Sequence, residues 1–224
     1  MNVIDLHSHT LWSDGTLIPS EHIRRAIVKG YGVIAITDHA DATNIELLCK
    51  EIVPFARSMN EKQNEITVLA GIELTHVLPE DIKELTLYAR GKGIHLVVAH
   101  GETIVEPVRP GTNRAAILAE VDILAHPGLI AEEEVKLAAQ KGVALEISYR
   151  KGNCLGNGRV VDLAKKYKAP LVINSDAHDI GDFLTPELWK AVGLGAGLSS
   201  EELSSVYEFS ASLVKKALSG APSR

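Results

Sequence analysis

The sequence predicts an α/β barrel built on a parallel sheet, and three observations carry that expectation. Short apolar, β-branched runs alternate with segments of helical apolar spacing along most of the 224 residues. The composition is 46% hydrophobic but only 4% aromatic, rich in Ala, Val, Ile and Leu as parallel strands covered on both faces require. Each strand-like run also ends at, or within two residues of, a side chain that ligates metals. A chain of this length suits a closed α/β barrel as one unit, so a single domain over residues 1–224 is expected.

The elements follow in order. A strand over residues 3–6 precedes a helix over 19–29, opened by Pro19 and ended at Gly30. Strands over 33–37 and 66–74 precede helices over 44–60 and 79–92, the latter stopped at Gly93. A strand over 94–99 leads to a helix over 112–120. The strand over 121–125 leads to one over 131–141, where Glu132, Glu133 and Glu134 favour the positive end of the helix dipole and Gly142 marks the stop. The last strands cover 143–148 and 171–174, with a helix over 157–168 between them. Ser199 and Glu202 have the spacing of a capping box for a final helix over 199–218, followed by a frayed tail at 220–224. No linker, and no repeat beyond the alternation itself, argues for a second domain.

Right-handed βα crossovers allow an open doubly wound sheet or a closed barrel. In a barrel the loops after every strand converge on one face, whereas an open sheet gathers ligands at one switch point. The strand ends carry, in order, His7 and His9, His39, Glu73, His100, His126, Glu146, and Asp176 with His178. Six of the nine histidines lie there, leaving only His22, His76 and His95 elsewhere, and that convergence favours the barrel. Neutral imidazoles mixed with carboxylates suit Zn, Mn or Fe. The two-residue spacing of His7 and His9 puts both rings on one side of an extended strand end, and Asp176 and His178 repeat it. Glu73 has two oxygens with which to bridge ions, and Asp14, in the loop after the first strand, can reach the same mouth.

Bulk properties exclude several functions. A formal charge of −6 and a pI near 5.8 leave no broad basic surface, so extended nucleic acid is not an expected partner. Cys49 and Cys154 are too few for a disulfide framework or a thiolate zinc site and are expected to be buried or inert. The N-terminus enters a strand pattern without a basic, apolar leader, and no apolar run reaches bilayer length. The expectation is a cytoplasmic protein with no membrane partner.

His7-Ser-His9, Ser13-Asp14-Gly15, Thr37-Asp38-His39, Gly71-Ile-Glu73, Ala99-His100-Gly101, Ala125-His126-Pro127-Gly128 and Ser175-Asp176-Ala177-His178 together resemble the polymerase and histidinol phosphatase (PHP) family. The resemblance spans residues 3–178 and implies a distorted (β/α)7 TIM-like barrel with the metal site at the C-terminal face of its strands. It implies two to three divalent ions: one held by His7, His9, Glu73 and Asp176; a second bridged by Glu73 and held by His100 and His126; a third held by Asp14, His39 and His178. Asp14 stands where some relatives have His. The nucleophile implied is a metal-bridging hydroxide over Glu73, Asp176, His7 and His9, since bound ions lower the pKa of water from ~16 to ~7.

Arg150 is the first choice of phosphate contact, because guanidinium grips two oxygens in a planar fork. Lys151, Arg109, Arg114 and Arg159 are further cations, and the helix start at Thr112 and Asn113 offers an anion site. Glu146 is expected to orient a ligand or touch substrate. Asp38, Glu102 and His76 are placed to orient ligands, His22 to lie on a polar helix face, and His95 to be structural. The function expected is hydrolysis of a small phosphorylated metabolite as a phosphomonoesterase, with histidinol phosphate the leading substrate, although dedicated histidinol phosphatases of the family are longer. The alternatives are a phosphodiesterase or exonuclease-like hydrolase and a non-catalytic regulatory barrel.

Overall fold

In the computed structural model, which describes residues 2–219, parallel strands alternate with helices from the first residues onward. The order is β1 (Val3–Asp5), α1 (Pro19–Val28), β2 (Tyr31–Ile36), β3 (His39–Ala40), α2 (Ile45–Lys62), β4 (Thr67–Leu74), α3 (Ile82–Gly91) and β5 (Leu96–His100). It continues with α4 (Thr112–Leu118), β6 (Ile123–Ala125), α5 (Glu132–Lys141), β7 (Ala144–Ser148), α6 (Asn157–Tyr167), β8 (Leu171–Asn174), α7 (Pro186–Gly195) and α8 (Ser200–Ser219). The ladder runs β1-β2-β4-β5-β6-β7-β8, all parallel, with β3 paired to β4. The tail expected to fray lies outside the described residues.

β1 and β8 share no ladder, and the sheet closes above them. His9 N donates to Ala177 O (2.8 Å) and Asp176 N to His7 O (3.0 Å), forming an isolated parallel bridge at the mouth. Asp5 buckles this seam: its carboxylate accepts from Ser175 N (3.1 Å) and from the Tyr31 hydroxyl (3.0 Å). Asn174 supports it too, accepting from Leu6 N (2.9 Å). The resemblance implies a distorted barrel, and the seven-strand path with one poorly paired seam is such a barrel.

Alternation positions the site. Outward residues such as Ile34, Val68, Val97, Leu145 and Ile173 pack on Ile23, Leu48, Ile117, Val135 and Val160 of the surrounding helices. Inward positions change character along each strand: β4 reads Leu69, Gly71, Glu73; β5 reads Leu96, Val98, His100; β8 reads Val172, Asn174. Low in the barrel these side chains pack with Leu213 and Ala217, so α8 seals the end opposite the mouth. Its start bears the expected capping box, Ser199 N to Glu202 Oε2 (2.7 Å) and Glu202 N to Ser199 Oγ (3.2 Å).

One helix lies where no element is expected, and one expectation needs correction. Residues 186–195 form α7; Thr185 accepts from Leu188 N and Pro186 occupies the first turn. The second strand breaks at Thr37 and Asp38 and resumes as the two-residue β3, so one more strand forms than the seven expected. Of the two free cysteines, Cys49 is buried and Cys154 is exposed. Among the described residues no helix is long and apolar enough to cross a membrane.

Candidate active site

The strand ends bring His7, His9, Asp14, His39, Glu73, His100, His126, Asp176 and His178 to one mouth. His7 is completely buried at its centre. Its Nδ1 donates to Glu146 Oε1 (2.8 Å), which leaves Nε2 facing Glu73 Oε1 (3.3 Å), His9 Nε2 (3.1 Å) and Asp176 Oδ1 (3.8 Å). Glu146 is therefore a positioning group. Its second oxygen accepts from His126 N (3.1 Å), and Oε1 also accepts from Asn174 Nδ2 (2.8 Å). A carboxylate behind a ligating imidazole fixes the tautomer that exposes the other nitrogen.

The same logic recurs around the ring. His178 Nδ1 donates to Asp176 O (2.9 Å), turning Nε2 to Asp14 Oδ1 (3.1 Å). His39 Nδ1 faces Glu73 Oε2 (2.7 Å) and Thr75 Oγ1 (2.6 Å), and its Nε2 lies 3.3 Å from the same Asp14 oxygen. His100 Nδ1 donates to Gly101 O (3.1 Å). His126 Nε2 points between Glu73 Oε1 (3.7 Å) and Asp176 Oδ2 (3.6 Å).

These donor atoms fit metal ions. For bonds of about 2.1 Å to one tetrahedral ion, ligand atoms stand roughly 3.4 Å apart. Such atoms cluster here as His7, His9 and Asp176; as His7, Glu73 and His126; and as His9, Asp14, His39 and His178. Glu73 Oε1 and the Nδ1 atoms of His9 and His126 are buried without a hydrogen-bond partner, a cost that a purely structural cluster would avoid. Backbone strain marks the same place: His126 (φ 27°), Asp176 (φ 54°) and His76 (φ 52°) all adopt left-handed conformations. Two glycines of the motifs meet steric needs. A Cβ on Gly15 would lie 2.5 Å from His9 O, and one on Gly128, itself at φ +59°, would strike Glu102 O.

Crowding shifts the ionisations in opposite directions. Burial alone would keep His7 neutral, but Glu146, Glu73 and Asp176 raise it well above the usual imidazole range. Burial lowers His9, with His39 adding to the effect. Burial also opposes charge on His39, yet Glu73 and Asp14 push it up to about 10. Burial together with the Glu73 and Glu146 carboxylates raises Asp176 to about 6, whereas His7 and His39 hold Glu73 well below the carboxylate range despite its burial. Cations and anions thus interleave, so a divalent ion entering the cluster would displace protons.

The remaining residues sort differently from expectation. Arg150 lines the cavity over the mouth, about 260 Å³, and donates to Asp176 O (3.3 Å) with Asp182 Oδ2 3.7 Å away. Lys151 is exposed and outside that lining, Arg109 pairs with Glu80 (3.6 Å), Arg114 lies on the exposed side of α4, and Arg159 Nε donates to Ile130 O. The start of α4 does not offer an anion site, because Glu102 Oε1 already accepts from Gly111 N and Asn113 N (2.9 Å each). Glu102 thus caps a helix and does not orient His100. Asp38 braces the loop that carries Asp14, accepting from Thr10 N, Thr10 Oγ1 and Ser13 Oγ (2.7 Å each). His22 is buried, not on a polar face: its Nε2 meets Ser8 Oγ (2.9 Å) beneath the His7/His9 pair. His95 is structural, accepting from Ala70 N (3.0 Å). His76 lies beside Glu106, a carboxylate in mid-loop that strand-end reasoning passed over.

Comparisons with known proteins agree with this architecture. A family profile described as the PHP domain matches residues 5–100. The chain is 42% identical over 200 residues to an uncharacterised protein of Methanocaldococcus jannaschii, covering 89% of this chain and 92% of that one. It is 29% identical over 189 residues to ribonuclease P protein component 3 of Methanosarcina barkeri, covering 77% and 72% respectively. The crystal structure of histidinol phosphate phosphatase from Lactococcus lactis subsp. lactis, complexed with Zn, L-histidinol and phosphate, superposes with a TM-score of 0.60. At 17% identity, over 88% of this chain and 94% of that one, that likeness speaks for the fold.

Proposed function

The chain belongs to the PHP-domain family, and from that premise we propose that it is a metal-dependent phosphoesterase preferring small phosphorylated metabolites. The observation carrying this reading is the overlap of three histidine and carboxylate groups beneath one cavity whose wall includes Arg150. Divalent ions bound there would neutralise phosphate charge and acidify water for attack at phosphorus. His7, His9, Glu73 and Asp176 would hold one ion, His39, His178 and Asp14 another, and His126 and His100 would extend the cluster toward the rim. Zn, Mn and Fe suit this nitrogen and oxygen donor set.

The protein's own groups then set geometry. Glu146 keeps the His7 proton on Nδ1, Asn153 Nδ2 fixes Asp176 through Oδ2 (3.0 Å), and Thr75 steadies His39. Arg150, one-third exposed and held by Asp176 and Asp182 at 3.3–4.0 Å, would turn its fork onto a phosphate at the cavity wall. A cavity of about 260 Å³ and a net charge of −6 favour a compact monoester over a long polyanion. Histidinol phosphate is the first substrate to test.

A second reading is supported by the ribonuclease P component: action on, or assembly with, RNA, where the reacting group is a phosphodiester. Turnover of nitrophenyl phosphate against bis-nitrophenyl phosphate by the Mn-loaded protein separates the two. The monoester is expected to be cleaved faster, with histidinol phosphate among the metabolites cleaved. Faster diester cleavage reverses the ranking, and no cleavage of either by metal-loaded protein favours a non-catalytic role.

A further inference from the structure

Three loops at the mouth are locked to one another before they reach the ligands. After β5, Glu102 Oε1 accepts from Gly111 N and Asn113 N, while Asn113 Oδ1 accepts from Glu102 N (2.8 Å). Asn113 Nδ2 donates to Pro127 O (3.0 Å) in the loop after β6. The turn after β7 rests on the same stack, since a Cβ on Gly156 would lie 2.9 Å from Gly128 O. Thr103 and Asn153 meet across this junction, both buried, and Thr103 Oγ1 donates to Asn153 Oδ1 (2.7 Å).

The directions of these hydrogen bonds are set from Asp176 outward. An ionised carboxylate only accepts, so the Asn153 amide turns Nδ2 to Asp176 Oδ2 (3.0 Å) and its oxygen away. That oxygen needs a donor, and the Thr103 hydroxyl supplies it. With Oδ2 engaged, Asp176 Oδ1 is the oxygen turned to His9 Nε2 (3.3 Å) and His7 Nε2 (3.8 Å). Asp176 holds a left-handed backbone (φ 54°), so regular strand geometry does not aim its side chain, and the amide does. Stability alone does not call for the buried pair. Leucine and valine would fill the same space without desolvating an amide and a hydroxyl, whose hydrogen bond returns little net stability.

We propose that Thr103 is a positioning residue for Asp176: acting through Asn153, it fixes which carboxylate oxygen meets the His7 and His9 nitrogens. Thr103 lies outside the cavity wall, whereas Asn153 and Asp176 line it, so Thr103 touches neither ion nor substrate. This role rests on the metal-dependent reading above, in which Asp176 is a ligand. Without the hydroxyl the amide loosens, the carboxylate rotates, and the ion it would hold is bound less tightly.

Calorimetric titration of the metal-stripped full chain with MnCl2, together with turnover of nitrophenyl phosphate by the Mn-loaded protein, tests the role. Asn153→Leu is expected to weaken Mn binding about tenfold and to lower kcat with KM nearly unchanged. Thr103→Val should act in the same direction by a smaller factor, and Thr103→Ser, which keeps the hydroxyl, should restore wild-type values. The double variant Asn153→Leu/Thr103→Val should bind Mn no more weakly than Asn153→Leu alone, because the hydroxyl then has no amide to hold. A pair that merely braces the loops would lower the melting temperature in each variant and leave the Mn isotherm unchanged. That outcome overturns the positioning role and leaves the phosphoesterase reading intact. Should Asn153→Leu not fold, Thr103→Val against Thr103→Ser decides by the same two readouts. A wild-type chain that takes up no Mn overturns both.

Discussion

Inward positions low in the barrel carry Ile4, Leu69, Leu96, Ile123 and Val172, packed with Leu213 and Ala217 from α8. Toward the mouth, His7 just past β1, Glu73 on β4, Glu146 on β7 and Asn174 on β8 meet inside the barrel, linked by hydrogen bonds and an ion pair. The geometry is shared, but the energetics are opposite. The lower layer stabilises by removing apolar surface from water, at about 25 cal/mol per Å². The upper layer buries charge that only mutual pairing, or a bound ion, offsets. The contrast teaches that stability and chemistry occupy different floors of one sheet, and substitutions should separate them.

The widest separation is expected at Glu73. Because its two oxygens face His7, His126, His9 and His39, Glu73→Ala should lower kcat/KM by at least about a thousandfold while the far-UV circular dichroism stays native. Retained turnover would show that the upper layer is not a metal scaffold. Leu69→Ala, four residues earlier on the same strand and fully buried, should do the reverse. It should cost about 2–5 kcal/mol in denaturant unfolding but leave turnover per folded molecule within a few fold.

His22 links the two layers through pH. Burial lowers it to about 4 from 6.5, since its Nε2–H donates to Ser8 Oγ and a second proton would enter a buried site against Phe183. The folded pKa is therefore below the unfolded one. Its contribution is complete above pH 6.5 and is lost as pH falls toward 4, by up to about 3 kcal/mol. Urea midpoints of metal-stripped protein between pH 7 and 4 should drop less steeply in His22→Gln, and parallel slopes would contradict the assignment.

Smaller effects refine the upper layer. Glu146→Gln keeps a hydrogen-bond acceptor for His7 but removes its charge, so Mn affinity should fall about 10-fold with little change in thermal stability. Arg150→Ala should raise KM about tenfold and change kcat less, because Arg150 lines the cavity wall and meets the ligand cluster at Asp176 alone, through the carbonyl O (3.3 Å) and a 4.0 Å approach to Oδ2.

Much of this contrast was legible in the sequence, because period-two alternation and strand-end chemistry are local. Strands and helices up to Asn174 follow the apolar pattern, and the histidines and acids expected at strand ends do converge on one mouth. What escaped depended on partners distant in sequence. Glu102 looked like a neighbour of His100 until the chain folded back to place Gly111 and Asn113 against it. His22 looked solvated because helix spacing does not reveal that its α1 face covers Ser8. Glu106 lies in mid-loop, where no periodicity speaks, and reaches the site only through the Thr103 and Asn153 anchor. The helix α7, by contrast, has a local signal, since Thr185 followed by Pro186 is a readable helix start.

The central claim is that the upper floor of the barrel exists to hold metal ions for phosphoester chemistry. Elemental analysis of wild type and Glu73→Ala, each reconstituted with Mn or Zn and freed of loose metal by gel filtration, tests it most directly. About two to three ions per wild-type chain and a clear loss in the variant are expected. Equal metal content in the two proteins, or none in either, would contradict it.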